Sequence, residues 1–108
     1  MRATLDSATL TARAACVKEH VRCENAHDLN GIMKTFGAVA RYDDEPWNDH
    51  RVDLNGVRTY YEELLRSVPD LQIDVRSEHV ADDVIILEVI IRGTHAGKWR
   101  GCRERGGK

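Results

Sequence analysis

The chain is short of most features that would place it at once. It has one phenylalanine and two prolines in 108 residues, and neither sign of charge prevails: 16 Lys and Arg against 18 Asp and Glu leave a formal net charge of -2. That balance, spread along the chain, provides no field to gather nucleic acid or anionic lipid, so neither partner is expected. Three cysteines, an odd number without CxxC spacing, do not make a disulfide framework and suit a reducing compartment. The first residues contain no continuous apolar segment of the kind that opens a secretory leader, so a cytoplasmic protein is expected. The most hydrophobic run, VIILEVII at 84–91, is too short and too interrupted by Glu88 to cross a bilayer.

What is present is periodicity. Leu10, Ala14, Val17 and Val21 recur at steps of three and four and predict a helix over 10–25 with one buried stripe, preceded by frayed residues. Asp28 stands where an N-cap belongs, before Leu29, Ile32, Met33 and Phe36 at helical spacing, with Gly37 as the stop. A brief strand over 39–43 leads into DDEPWNDHR, whose acids and Pro46 predict an irregular loop. Asn55 or Asp53 caps a third helix with Val57, Tyr60, Tyr61, Leu64, Leu65 and Val68 on one face, ended by Pro69.

Residues 71–80 alternate, with Leu71, Ile73 and Val75 on one side, and an Ala-Asp-Asp turn returns the chain into a second strand over 84–95. That strand's Ile85, Leu87, Val89 and Ile91 share a face and need a cover, which three amphipathic helices supply. The order predicts one domain over 1–108, core about 10–101, of the α+β class, with three helices packed on a curved antiparallel sheet. Ile86 and Ile90 on the reverse face predict a homodimer.

The stretches ENAHDLNGIMKTFGAVARYDDEP, GVRTYYEELLRSVPDLQIDV and IIRGTHAGKWRG, taken in this order and spacing, resemble the SnoaL-like polyketide cyclases of the nuclear-transport-factor-2-like and ketosteroid-isomerase-like superfamily. The resemblance spans about 12–101. It implies a cystatin-like cone with a pocket between sheet and helices, often in a homodimer, and acid–base chemistry on carbonyl compounds with no metal or organic cofactor. In relatives a pocket aspartate lies on a strand after the GTHAGKWRG-like segment. Here CRERGGK follows Gly101, so the fold is expected to be C-terminally short and that aspartate has no counterpart.

The expected site is a pocket for a small hydrophobic carbonyl compound. His95, in a Gly-Thr-His-Ala-Gly turn beyond the apolar strand, is the candidate catalytic group, because an imidazole can donate to an enolate oxygen or shuttle a proton. Tyr42, Trp47, Leu87, Val89, Ile91 and Trp99 are the candidate lining, with Tyr60 and Tyr61 assigned to the core. The acids Asp43, Asp44, Glu45 and Asp49 beside His50 read as solvated. Cys16, His20, Cys23 and His27 are spaced like metal ligands, yet span about 16 Å of helix axis, too far to share an ion, so no metal is expected. A non-catalytic binding or assembly module is the alternative to a cyclase or isomerase.

Overall fold

The structure, a computed structural model, describes residues 6–96. Its first helix, α1 (Ser7–Ala26), starts earlier than the apolar stripe predicts, because the Asp6 carboxylate accepts the Thr9 amide at 2.7 Å and caps the first turn. It ends at His27, whose φ of 57° lets its amide reach back to the carbonyls of Cys23 and Glu24. Asp28 then caps α2 (Leu29–Lys34) by accepting the Gly31 amide at 3.0 Å. The stop comes at Thr35, two residues before Gly37.

The stretch expected to be an irregular loop is ordered. β1 (Tyr42–Asp44) pairs antiparallel with β2 (Asp49–Arg51) across a single 3-10 turn, Glu45–Trp47. Pro46 sits at the start of that turn, where its missing N–H costs nothing, and Asn48 leaves it in a left-handed conformation. Of the two candidate caps for α3 (Leu54–Ser67), the structure uses Asp53, which accepts the Gly56 amide at 2.6 Å. Tyr60 and Tyr61 are buried on that helix together with Val57.

β3 (Gln72–Val80) and β4 (Ile85–Arg92) form the long antiparallel hairpin. Between Val75 and Ser77 the register slips by one, leaving Arg76 as a bulge. The slip inverts the alternation of β3, so Ile73 and Val75 before it, and Glu78 and Val80 beyond it, oppose Ile91, Val89, Leu87 and Ile85. The fold is therefore α+β, with helices against antiparallel strands in a cone. Among the described residues these strands make two separate two-stranded sheets rather than one curved sheet.

The core holds Cys23, Ile32, Ala40, Val57, Tyr60 and Tyr61, with Leu29, Met33, Phe36, Tyr42, Leu64 and Leu65 packed around them. The hairpin extends away from this core. The radius of gyration is 15.6 Å, against about 12–13 Å for a compact domain of this size. Val75, Ile86, Val89, Ile90 and Ile91 on the hairpin stay exposed, Ile91 by 62%.

Two sets of hydrogen bonds join hairpin to helices. At its start, the Asn25 side chain binds both backbone groups of Ile73, donating to the carbonyl at 2.9 Å and accepting the amide at 2.6 Å, while His27 Nε2 donates to the Leu71 carbonyl at 2.8 Å. At its end, Gly93 lies so close to Val68 that no Cβ fits there. Beyond it the Thr94 amide donates to Asp70 Oδ1 at 2.7 Å and the Ala96 amide to the Ser67 carbonyl at 2.6 Å. These contacts fix His95 against the C-terminal end of α3.

Asn25→Ala removes two hydrogen bonds and leaves half-buried peptide groups unpaired, so a loss of about 1–2 kcal/mol is expected in urea unfolding, with faster exchange of the Ile73 amide. A stability within error of the parent would show that the joint carries no weight. Asp70 gives a pH test. Its Thr94 partner, through the amide first and the hydroxyl second, holds the carboxyl below the ordinary aspartate range. A lowered folded value means that the contribution is present above the unfolded value near 3.9 and is lost as pH falls through the folded one. The Thr94 amide shift should titrate with a midpoint below about 3.9, and a midpoint at or above it would rule the contact out.

Candidate functional site

A cavity of about 670 Å³ lies between the end of α3, the start of β3 and the exit of β4. Leu64, Val68, Leu71, Ile73 and Ile91 give it an apolar wall. A second wall is aromatic: Tyr42 stacks on Tyr60 with ring centroids 4.2 Å apart and 30° between planes. Glu24 from α1 and Asp43, Asp44 and Glu45 from β1 and its turn add acidic groups, and His95 closes the ring. No Lys or Arg is among the described residues that line it.

The acidic groups differ in setting. Asp43 and Glu45 are exposed, and Asp43 is held below the ordinary carboxylate range by Arg41 first and His50 second. Asp44 accepts the Tyr60 hydroxyl at 3.2 Å. Glu24 is only 8% exposed. Its Oε2 accepts the Tyr61 hydroxyl at 3.0 Å and lies 3.3 Å from His20 Nε2, which is itself 3.1 Å from that hydroxyl. His20 Nδ1 is 2.7 Å from Thr35 Oγ1, whose hydroxyl donates to the Ile32 carbonyl at 2.6 Å. All of these contacts are hydrogen bonds at once only when both imidazole nitrogens donate, to Thr35 on one side and to the Tyr61–Glu24 pair on the other. Burial first, and the Glu24 charge second, push the Tyr61 hydroxyl well above the phenol range; burial also raises Tyr42. Both phenols thus stay protonated and can donate at neutral pH.

His95 lines the same cavity as this acid. Its Nε2 is buried and has no hydrogen-bond partner among the described residues. The structure brings Tyr42, Ile91 and His95 of the candidate set to this one cavity. Leu87 lies elsewhere, in a groove of about 280 Å³ against Val17 and Val21 of α1, because four residues of strand put it roughly 13 Å from Ile91. Val89 lines neither hollow and is 37% exposed. Trp47 is 53% exposed and borders an outer hollow with Asn48, Asp49, Arg51 and Glu63. Trp99 lies outside the described residues.

Glu24, not singled out from sequence, had one signal there. It follows Val21 by three and so continues the stripe Leu10, Ala14, Val17, Val21 with an acid. The four residues with metal-like spacing go separate ways: Cys16 Sγ to the Thr35 carbonyl, His20 to Thr35 and Tyr61, Cys23 Sγ to Glu19, and His27 to Leu71. Asp43, Glu45 and His50 do bring ligand atoms within 4.8 Å of one another at the cavity rim. All three are exposed, and the His50 ring is already engaged by Asp43 at 2.6 Å and Asn48 at 2.9 Å.

The SnoaL-like domain matches residues 17–107. AclR from Streptomyces galilaeus, a proposed hydroxylase, is 28% identical, with a TM-score of 0.74 over 90% of this chain and 71% of that one. A SnoaL-like protein of unknown function from Burkholderia thailandensis superposes with a TM-score of 0.66 at 18% identity, covering 94% of this chain and 92% of its own. IdmH from Streptomyces antibioticus, a proposed polyketide cyclase, gives 0.68 at 17%, covering 87% and 73%. These last two likenesses bear on the fold alone. No curated protein matches the chain significantly. Among the described residues no helix is long and apolar enough to cross a membrane. With the match spanning nearly the whole chain, and helices and hairpin arranged as in these structures, the chain belongs to the SnoaL-like domain family.

Proposed function

We propose that this domain binds a small, flat, neutral carbonyl compound in the cavity beside His95 and moves a proton on it, as a cyclase or isomerase does. The observation that carries this reading is His95, which lines the cavity and whose buried Nε2 has no hydrogen-bond partner among the described residues. In the tautomer that carries its proton on Nε2, an unpaired buried donor costs about 1–3 kcal/mol, which a ligand oxygen accepting from it would recover. The volume of about 670 Å³ falls within the range of small-molecule sites. The Tyr42–Tyr60 stack offers a flat face, and four carboxyl groups, with no Lys or Arg among the described lining residues, disfavour an anionic ligand.

A usable probe is 2-tetralone, whose C1 hydrogens exchange with deuterium through an enolate. The wild-type protein should accelerate that exchange, read by proton NMR in heavy water, and His95→Ala should lower the acceleration by about 10²–10³-fold through loss of the oxyanion donor. Equal exchange in both proteins removes His95 from the mechanism. Binding of the probe with no acceleration by the wild type would instead favour a non-catalytic binding module.

We also propose that two copies associate through the hairpin. Ile86 is 54% exposed on one face of it and Ile91 62% on the other, with Val75, Val89 and Ile90 also in solvent, an apolar surface that pairing of two copies would cover. Light scattering at micromolar concentration should give twice the mass of one chain. A monomer mass there would sink the proposal.

A further inference from the structure

We infer that Glu24 is the proton acceptor and donor of the cavity, held in place by Tyr61 and His20. This deepens the reading of the cavity as a site for a carbonyl compound and rests on it. Four acids face the same space, and their surroundings separate them. Asp43 and Glu45 are exposed, where water levels the strength of a base, and Asp44 is engaged by Tyr60. Glu24 alone is buried and half-satisfied. Its Oε2 takes the Tyr61 hydroxyl and faces His20 Nε2, whereas Oε1 accepts no hydrogen bond among the described residues. An acid kept for structure alone has both oxygens paired in a buried site. Here one oxygen orients the group and the other is left to a ligand in the cavity that Glu24 lines.

The partners of Oε2 also give the proton a way out. His20 and Thr35 border a second hollow of about 320 Å³ on the other side of Tyr61. The hydrogen-bonded series Glu24, Tyr61, His20, Thr35 therefore leads from the cavity to that hollow. Protonation can equilibrate with solvent there while a ligand fills the cavity.

The step balances without a co-reactant. The Glu24 carboxylate takes a proton from the carbon beside the carbonyl. The C–H pair becomes the new C=C bond, and the carbonyl π pair moves onto oxygen, which accepts a hydrogen bond from His95 Nε2–H in the tautomer that carries its proton there. The neutral Glu24 acid then returns the proton to the same carbon or to a conjugated one, and the carboxylate is regenerated.

The test pairs exchange of 2-tetralone with binding of 2-naphthol, a planar mimic of the enol, followed by naphthol fluorescence. Glu24→Gln should lower the exchange rate by about 10²-fold or more with naphthol affinity held within about threefold, since general acid–base groups contribute on that scale. Glu24→Asp, which keeps the carboxylate, should recover part of the rate. Tyr61→Phe should lower kcat and leave KM nearly unmoved, as expected of a positioning residue. Full exchange by Glu24→Gln with naphthol bound overturns this inference and leaves the cavity reading standing. Equal losses in the Gln and Asp variants, or loss of binding together with exchange, mark the residue as structural and overturn it too. A wild-type protein that binds neither probe removes the cavity reading, and this inference with it.

Discussion

The joint between Asn25 and Ile73 is the contact on which the rest of the structure depends. An asparagine carboxamide presents one donor and one acceptor at the spacing of a peptide group, so it can bind a strand residue from the side as a neighbouring strand would. Here it takes the place that a neighbouring strand would occupy and fastens the end of α1 to the first residues of β3. His27, in the left-handed cap one step on, adds a bond to Leu71. With the helix end fixed by three hydrogen bonds, the residue immediately before Asn25 must face the space between helix and hairpin. That residue is Glu24, and the space is the cavity.

The core this joint supports is small and more polar than its size would suggest. Among the described residues the largest side chains with essentially no exposure are Tyr61, Ile32, Val57 and the smaller Cys23. Burying the Tyr61 hydroxyl, the Glu24 carboxylate and the His20 ring together is favourable only because they satisfy one another. The edge-on contacts of Tyr61 with Tyr42, Tyr60 and His20 fix the ring that carries that hydroxyl. Packing and polar geometry are thus set by the same residues.

What could be read from sequence was what depends on near neighbours. The caps Asp28 and Asp53 are local bonds from a side chain to an amide three residues on, and both stand in the structure as the pattern implies. The apolar stripes of α1 and α3 and the odd-numbered face of β4 also follow from periodicity. The Arg76 bulge did not show, because alternation in a strand with polar and apolar residues on both sides does not reveal an inserted residue. Trp47 and Leu87 had the chemistry of pocket lining, yet their place was decided by the turn at Glu45–Trp47 and by distance along β4. The pairing of Glu24 with Tyr61, 37 residues away, lay beyond any local pattern.

The bulge bears on how this hairpin can change. Because one extra residue at Arg76 turns the outer half of β3 over, the inward positions there are set by counting from the bulge rather than by side-chain type. Loss of Arg76 alone would remove the bulge and leave the pairs beyond it in place, with Ser77 opposite Glu88, Glu78 opposite Leu87 and Val80 opposite Ile85, all with the same facing. The bulge is therefore a place where β3 can shorten by a single residue without turning its outer half over.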